Sequence, residues 1–282
     1  MTTQRLARPV RPQIVLEVLA TEMLSEHMIR LTFGGPGFEN FQDKPVSDRY
    51  VKILFAKPEL GLIPPYDLDA LREQLAPEDF PVRRTYTLHH VDLEAGTVQI
   101  DFVVHGDEGI AGPWALNAKI GDQICFNSPG GLYTPNPEFA RHLLIGDETA
   151  LPAISAAVLD MTPEMVGDIY LEVGGPEDHV TLDVPEGITV HWLHRGGPFT
   201  PENTRLESVV RAAPWSDDSV QVFAHGERET MKTLRAYLHG ERKVDRKAMS
   251  LSAYWAFGRA EDEFQAEKKS PIGQIFPEVA NA

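Results

Sequence analysis

The chain predicts a two-domain protein of the β plus α/β class: an N-terminal antiparallel β-barrel followed by a parallel-sheet α/β domain. Three observations lead there. The 282 residues suffice for two domains of ordinary size. Up to residue 135, short runs rich in β-branched and aromatic residues alternate with Gly, Pro and Asp clusters, the pattern of a barrel. After Pro135-Asn136-Pro137, strand-like runs alternate with helical spacing, as in a parallel sheet flanked by helices.

The barrel strands are expected at residues 14–18, 28–33, 50–55, 84–89, 98–104 and 123–127. An insert over 57–81 carries prolines at 58, 64, 65, 77 and 81. It reads as a loop with a short helix at 67–75. In the second half, 142–145 is a buried-type strand, and the apolar residues at 151, 154 and 158 predict a helix over 150–159. Strands follow at 168–173, 188–193, 220–224 and 249–254, with helices at 201–211 and 227–238. The charged tail, 261–282, reads as a short helix or an ordered extension.

Bulk composition excludes several functions. With 42% hydrophobic and 24% charged residues the composition is that of a globular protein. The net charge of -16 argues against nucleic acid and against an anionic membrane as partners. Cys125 is the one cysteine, so neither an internal disulfide nor a thiolate metal cluster can form. His191 and His194 are three apart, but on a strand they face opposite sides, and no metal site is expected. Residues 1–15 lack an apolar run of signal-peptide length. No stretch of roughly 18 apolar residues occurs, and the expected location is the cytoplasm.

Two blocks about twenty residues apart carry the chemistry. The first is Arg83-Arg84-Thr85-Tyr86-Thr87. On a strand, Arg84 and Tyr86 share a face. A guanidinium pairs bidentately with a phosphate, and a phenol two residues on can lie against a flat ring system. The Thr87 backbone N–H then becomes a donor to that ring. The second block holds His105-Gly106, Gly109-Ile110-Ala111-Gly112-Pro113-Trp114-Ala115 and, further on, Gly121-Asp122. A Gly-rich turn opening a helix exposes N–H groups that attract a pyrophosphate, and Gly112 permits close approach of the backbone. Together they suit a flavin dinucleotide held without a GxGxxG loop.

These residues resemble the siderophore-interacting proteins, flavin-dependent ferric-siderophore reductases of the ferredoxin-reductase-like superfamily. The resemblance runs colinearly over roughly residues 12–260, through DRYVKILF at 48–55, GDETALPAI at 146–154, WLHRG at 192–196, AHGE at 224–227 and Tyr254-Trp255 with Gly258-Arg259. It implies an FAD-binding barrel at 12–135, an NAD(P)H-binding α/β domain at 136–260 and a C-terminal extension at 261–282. It carries over Arg84, Tyr86, Thr87, His105, Gly106, Ala111, Gly112 and Trp114 as contacts of FAD.

For the second domain, ligands of an open α/β sheet sit at the carboxyl ends of strands. Asp147, Glu148 and Thr149 fall at one such end, with Thr149 placed to cap the next helix. Arg195, then Gly226, Glu227 and Arg228, then Trp255 fall at others. Arg195 and Arg228 are candidates for an adenosine phosphate, favouring NADPH over NADH. Trp255 or the tail is a candidate shield for the flavin.

The expected activity is reduction of a ferric siderophore or related ferric chelate, with electrons from NADPH (or NADH) passing through FAD; reduced ferredoxin is a second possible donor. Arg49, Lys52 and Arg83 are candidate substrate contacts. The resemblance also implies basic residues where this chain has Gly130-Gly131 and Ala256-Phe257. Those departures point to a hydroxamate, mixed or haem-related iron substrate rather than a highly charged tris-catecholate. A general flavin reductase, and a non-catalytic siderophore- or haem-binding protein, remain alternatives.

Overall fold

The computed structural model describes residues 12–106, 109–216, 218–268 and 270–276. Strands β1 (Gln13–Ser25), β2 (Met28–Gly34), β3 (Tyr50–Phe55), β4 (Val82–Asp92), β5 (Thr97–Val103) and β6 (Gln123–Asn127) close into an antiparallel barrel of order β1-β2-β5-β4-β3-β6. Period-two alternation makes the wall: Ile14, Leu16 and Val18 are buried while Val15 and Glu17 are less so. Phe33, Leu88, Ile100, Phe102 and Phe126 complete the filling. Most strands run past their expected ends, β4 by two residues upstream and three downstream, because ladder pairing continues beyond the apolar run. Helix α1 (Leu68–Gln74) lies in the insert, where the Asp67 side chain accepts from Ala70 N at 3.0 Å. Helix α2 (Ala111–Asn117) packs across the barrel after β5.

The second sheet is parallel, of order β11-β10-β7-β8-β9, with β7 (Arg141–Asp147), β8 (Gly167–Val173), β9 (Ile188–His194), β10 (Val220–Glu227) and β11 (Met249–Trp255). The order reverses between β7 and β10, the switch point at which open α/β sheets bind ligands. Helix α3 (Leu151–Leu159) is buried along eight of its nine residues. That explains a sequence that is apolar nearly all round.

Three local expectations need correction. The α3 N-cap is Ala150, not Thr149; the Thr149 N–H and hydroxyl instead donate to Asp147 at 2.9 and 2.5 Å. Helix α4 (Leu206–Ala212) starts five residues later than its expected start, because Thr200 and Asn203 bond each other in a turn. Helix α5 (Arg228–Arg235) gives way to a π-helical turn at Ala236–Glu241. In the tail, α6 (Glu261–Glu267) forms, and Phe264, Ile275 and Phe276 join the core of the second domain. Among the described residues, no helix is long and apolar enough to cross a membrane.

Candidate functional site

A cleft of about 1110 Å³ separates the barrel from the parallel sheet. One wall is β3 and β4, with Tyr50, Lys52, Arg84, Thr85, Tyr86 and Thr87. The opposite wall comes from Thr149, Pro152, His225 and 246–254, and Glu261, Gln265 and Lys268 of the tail close one side.

Arg84 and Tyr86 share a face of β4, as alternation requires. The Arg84 guanidinium donates to Arg83 O at 2.8 Å and to the exposed Asp262 at 3.2 Å. The Tyr86 ring lies 4.5 Å from that of Phe102. Burial, reinforced by Glu261, pushes its phenol up to about 12, so it stays protonated. Thr87 is buried, and it lines the cleft together with Tyr254 from the other domain.

The second block divides. His105 and Gly106 are exposed at the end of β5, and Gly106 and Gly109 take positive φ with open space where a Cβ would stand. Asp107 and Glu108, between them, lie outside the described residues. Ala111 and Gly112 are buried. A Cβ on Gly112 would come 3.1 Å from Val103 O, so this glycine seats α2 against β5. Trp114 packs among Phe33, Phe55 and Phe102 in the barrel. None of these side chains lines the cleft.

At the carboxyl ends of the parallel strands, Asp147 ties three of them together. It accepts from Thr149 and, through Oδ2, from Glu227 N at 2.9 Å and Trp255 Nε1 at 2.8 Å. Burial and Glu148 push its carboxyl up to about 6, while the donors from Thr149 and Trp255 pull it back. Gly226 is demanded by this knot: with φ +150, a Cβ there would sit 2.5 Å from Asp147 Oδ2. Glu227 caps α5 through Thr230 N at 2.9 Å. Trp255 is therefore held toward Asp147 and Phe199, and of this pair it is Tyr254 that lines the cleft. Strand alternation separates these two neighbours.

The two arginines expected on an adenosine phosphate are both engaged. Arg195 donates to Glu148 at 2.6 and 2.9 Å with its side chain 2% exposed. Arg228 is buried and pairs with Glu267 and Glu229. Of the expected substrate contacts, only Lys52 lines the cleft. Arg49 is paired with Asp43 at 3.0 Å, and Arg83 is exposed away from the cleft lining.

The structure adds Lys44, Arg246, Lys247 and Lys268 to the lining. Arg246 and Lys247 sit in an exposed turn that forms the cleft rim. Burial, with Lys52 adding to it and Glu261 opposing, lowers the Lys268 ammonium below its ordinary value. A basic cleft on a chain of net charge -16 concentrates positive potential at one place. Gly130 and Gly131 have a physical reason: added Cβ atoms would come 2.7 Å from the Tyr50 ring and 2.8 Å from Asp48 Oδ1. Asp48 holds this loop through Leu132 N and Tyr133 N at 2.6 and 2.8 Å.

Residues 17–133 match the siderophore-interacting FAD-binding domain, and residues 139–258 match the siderophore-interacting protein model. An uncharacterised protein of Mycobacterium tuberculosis is 40% identical over 92% of this chain and 95% of its own length. The chain belongs to the siderophore-interacting protein family. The ferric vibriobactin reductase ViuB of Vibrio cholerae is 28% identical, over 93% of this chain and 96% of the relative. The siderophore-interacting protein SipS from Aeromonas hydrophila superposes with a TM-score of 0.78 at 28% identity, covering 93% and 98% of the two chains. The barrel is thus the FAD-binding domain of this family. The residues present suit the cofactor: the cleft has dinucleotide size, and the ammonium groups of Lys44, Lys52 and Lys247, which line it, have no hydrogen bond or ion pair among the described residues.

Two buried histidines make a pH prediction. Burial holds the His89 imidazole down to about 4 and the His225 imidazole, stacked 4.0 Å from Phe223, down to about 3. The unfolded chain takes up these protons near pH 6.5 and the folded chain does not. Their favourable contribution is present above pH 6.5 and is lost as pH falls toward the folded values. Each should steepen the loss by about 1.4 kcal/mol per pH unit. Urea melts between pH 7 and pH 4.5 should show this slope, and His225→Gln should make it shallower. An equal slope in the variant would exclude His225 as a contributor.

Proposed function

We propose that the protein is an FAD-dependent ferric-siderophore reductase of the cytoplasm that takes electrons from a nicotinamide dinucleotide. The observation that carries this reading is the cleft itself, with the Arg84-Thr85-Tyr86-Thr87 strand on one wall and the β7, β10 and β11 strands of a dinucleotide-type sheet on the other. Family membership and the likeness to a ferric vibriobactin reductase support it.

Bound FAD supplies the conversion of a two-electron hydride donor into one-electron reduction of iron. The overall balance is one NAD(P)H and two Fe(III) to one NAD(P)⁺, one proton and two Fe(II). Arg84 would hold a cofactor phosphate, and Tyr86 and the Thr87 backbone N–H would meet the ring system. Tyr254, across the cleft with Thr87, would stand where the ring system lies between the two domains. His105, Gly106 and Gly109 would offer backbone to the rest of the dinucleotide. The nucleotide approaches over the β7 and β10 ends, where Asp147 keeps the strands in register.

Lys52 and Lys268, with Lys44, Arg246 and Lys247 at the rim, draw an anionic chelate to the cleft. Gly130 and Gly131 leave no basic side chain at that point. A chelate of modest negative charge, such as a hydroxamate or mixed-donor siderophore, fits better than a tris-catecholate. Fe(II) binds hard oxygen donors less strongly than Fe(III), so reduction releases the metal.

The test is an anaerobic visible spectrum of the purified protein, followed by NADPH and then a ferric hydroxamate siderophore. A flavin spectrum that bleaches and then recovers, with Fe(II) trapped by ferrozine, is expected. Bleaching without recovery on any ferric chelate would leave a flavin reductase with another acceptor. Absence of flavin even after adding FAD would overturn the reading.

A further inference from the structure

In dinucleotide folds, an acidic side chain at the end of the second parallel strand reads the ribose hydroxyls, and a nearby arginine accommodates a 2′-phosphate when one is present. The second strand of this sheet is β8, and Glu172 is its last residue but one. Glu172 cannot read a ribose. Its side chain is 1% exposed, accepts from Thr204 Oγ1 at 2.8 Å and from Arg205 N at 2.5 Å, and lies 3.7 Å from Arg195 Nη1. Arg195, clamped by Glu148 and Glu172, is closed off as well.

Among the described residues, one cation at this end of the sheet remains available. Arg205 is exposed, and among the described residues its guanidinium has no hydrogen bond or ion pair. Its backbone is fixed by three bonds: the N–H donates to Glu172, and the carbonyl accepts from Val209 N at 3.0 Å and from Ser208 Oγ at 2.9 Å. The preceding loop is braced by Thr200 N to Asn203 Oδ1 at 2.8 Å and Asn203 Nδ2 to Pro198 O at 2.9 Å. A free guanidinium fork thus stands on a rigid base beside an acid that is consumed internally. Satisfying Glu172 inside the protein removes the group that would repel a 2′-phosphate, and Arg205 supplies the group that binds one.

We infer that Arg205 recognises the 2′-phosphate of the adenosine half of the electron donor and makes this protein select NADPH over NADH. The inference rests on the reading of a nicotinamide nucleotide at this end of the sheet. It replaces Arg195 and Arg228 in that role, because both have spent their charge on carboxylates.

The test reads binding without electron transfer. Calorimetric titration of the purified, flavin-loaded protein with 2′,5′-ADP and with 5′-AMP should show the first binding about 10- to 100-fold more tightly, the range expected for a charge-assisted contact. Arg205→Ala should bring the two within about threefold, and Arg205→Lys should recover part of the difference. A melting temperature unchanged in both variants shows that the fold is intact. An unchanged ratio in Arg205→Ala, equal binding of the two probes by the parent protein, or no binding of 2′,5′-ADP would each overturn the inference. Iron reduction can fail in its own assay while this preference stands, so the two readings are judged separately.

Discussion

Arg195→Ala should lower the unfolding free energy by about 3–5 kcal/mol, the loss typical when one partner of a buried ion pair is removed. The reason lies in what the guanidinium leaves behind. Glu148 and Glu172 are 15% and 1% exposed, and both face Arg195. Without it, two neighbouring carboxylates would share a buried site, one with its desolvation uncompensated and both repelling. Arg228→Ala gives the contrast. Its partners Glu267 and Glu229 are 24% and 62% exposed, and water can take over the lost contacts, so about 1 kcal/mol is expected there. Urea melts at neutral pH measure both. A loss below about 1 kcal/mol for Arg195→Ala would mean that water reaches the pair after all.

Arg84→Ala should weaken FAD binding by about 100-fold while leaving the barrel stable, the effect expected for losing a bidentate charge-assisted contact to phosphate. Little competes for this guanidinium in the protein itself. Its acidic partner is Asp262, whose side chain is 75% exposed, and such pairs contribute about 0–1 kcal/mol. A phosphate can therefore displace Asp262 at small cost. Arg84→Lys should be intermediate, keeping the charge without the fork. Titration of the deflavinated protein with FAD, followed by flavin fluorescence, measures the change. Equal affinity in the parent and Arg84→Ala proteins would remove Arg84 from the cofactor site.

Much of the architecture is legible in the chain because it rests on local regularities. Period-two alternation identifies β1 through Ile14, Leu16 and Val18, and the apolar run at 142–145 identifies the central strand β7. The shared face of Arg84 and Tyr86 follows from the same geometry. Strand lengths are less legible, since ladders continue through polar residues such as Thr21 and Glu22, which pair with Leu31 and Arg30.

What a charged side chain faces is decided elsewhere. Arg195 and Arg205 are ten positions apart and look alike in sequence, yet one is consumed by carboxylates just after β7 and on β8, and the guanidinium of the other has no partner among the described residues. Tyr254 and Trp255 divide between the cleft and Asp147, which is 108 positions from the tryptophan. Lys268 reaches the cleft only because Phe264 anchors α6 in the second core. Backbone pattern and strand order follow from short-range sterics and hydrophobic period, which any window of the chain displays. The pairing of charges, and hence which residues are left to meet a ligand, depends on distances set only when remote strands close the sheet.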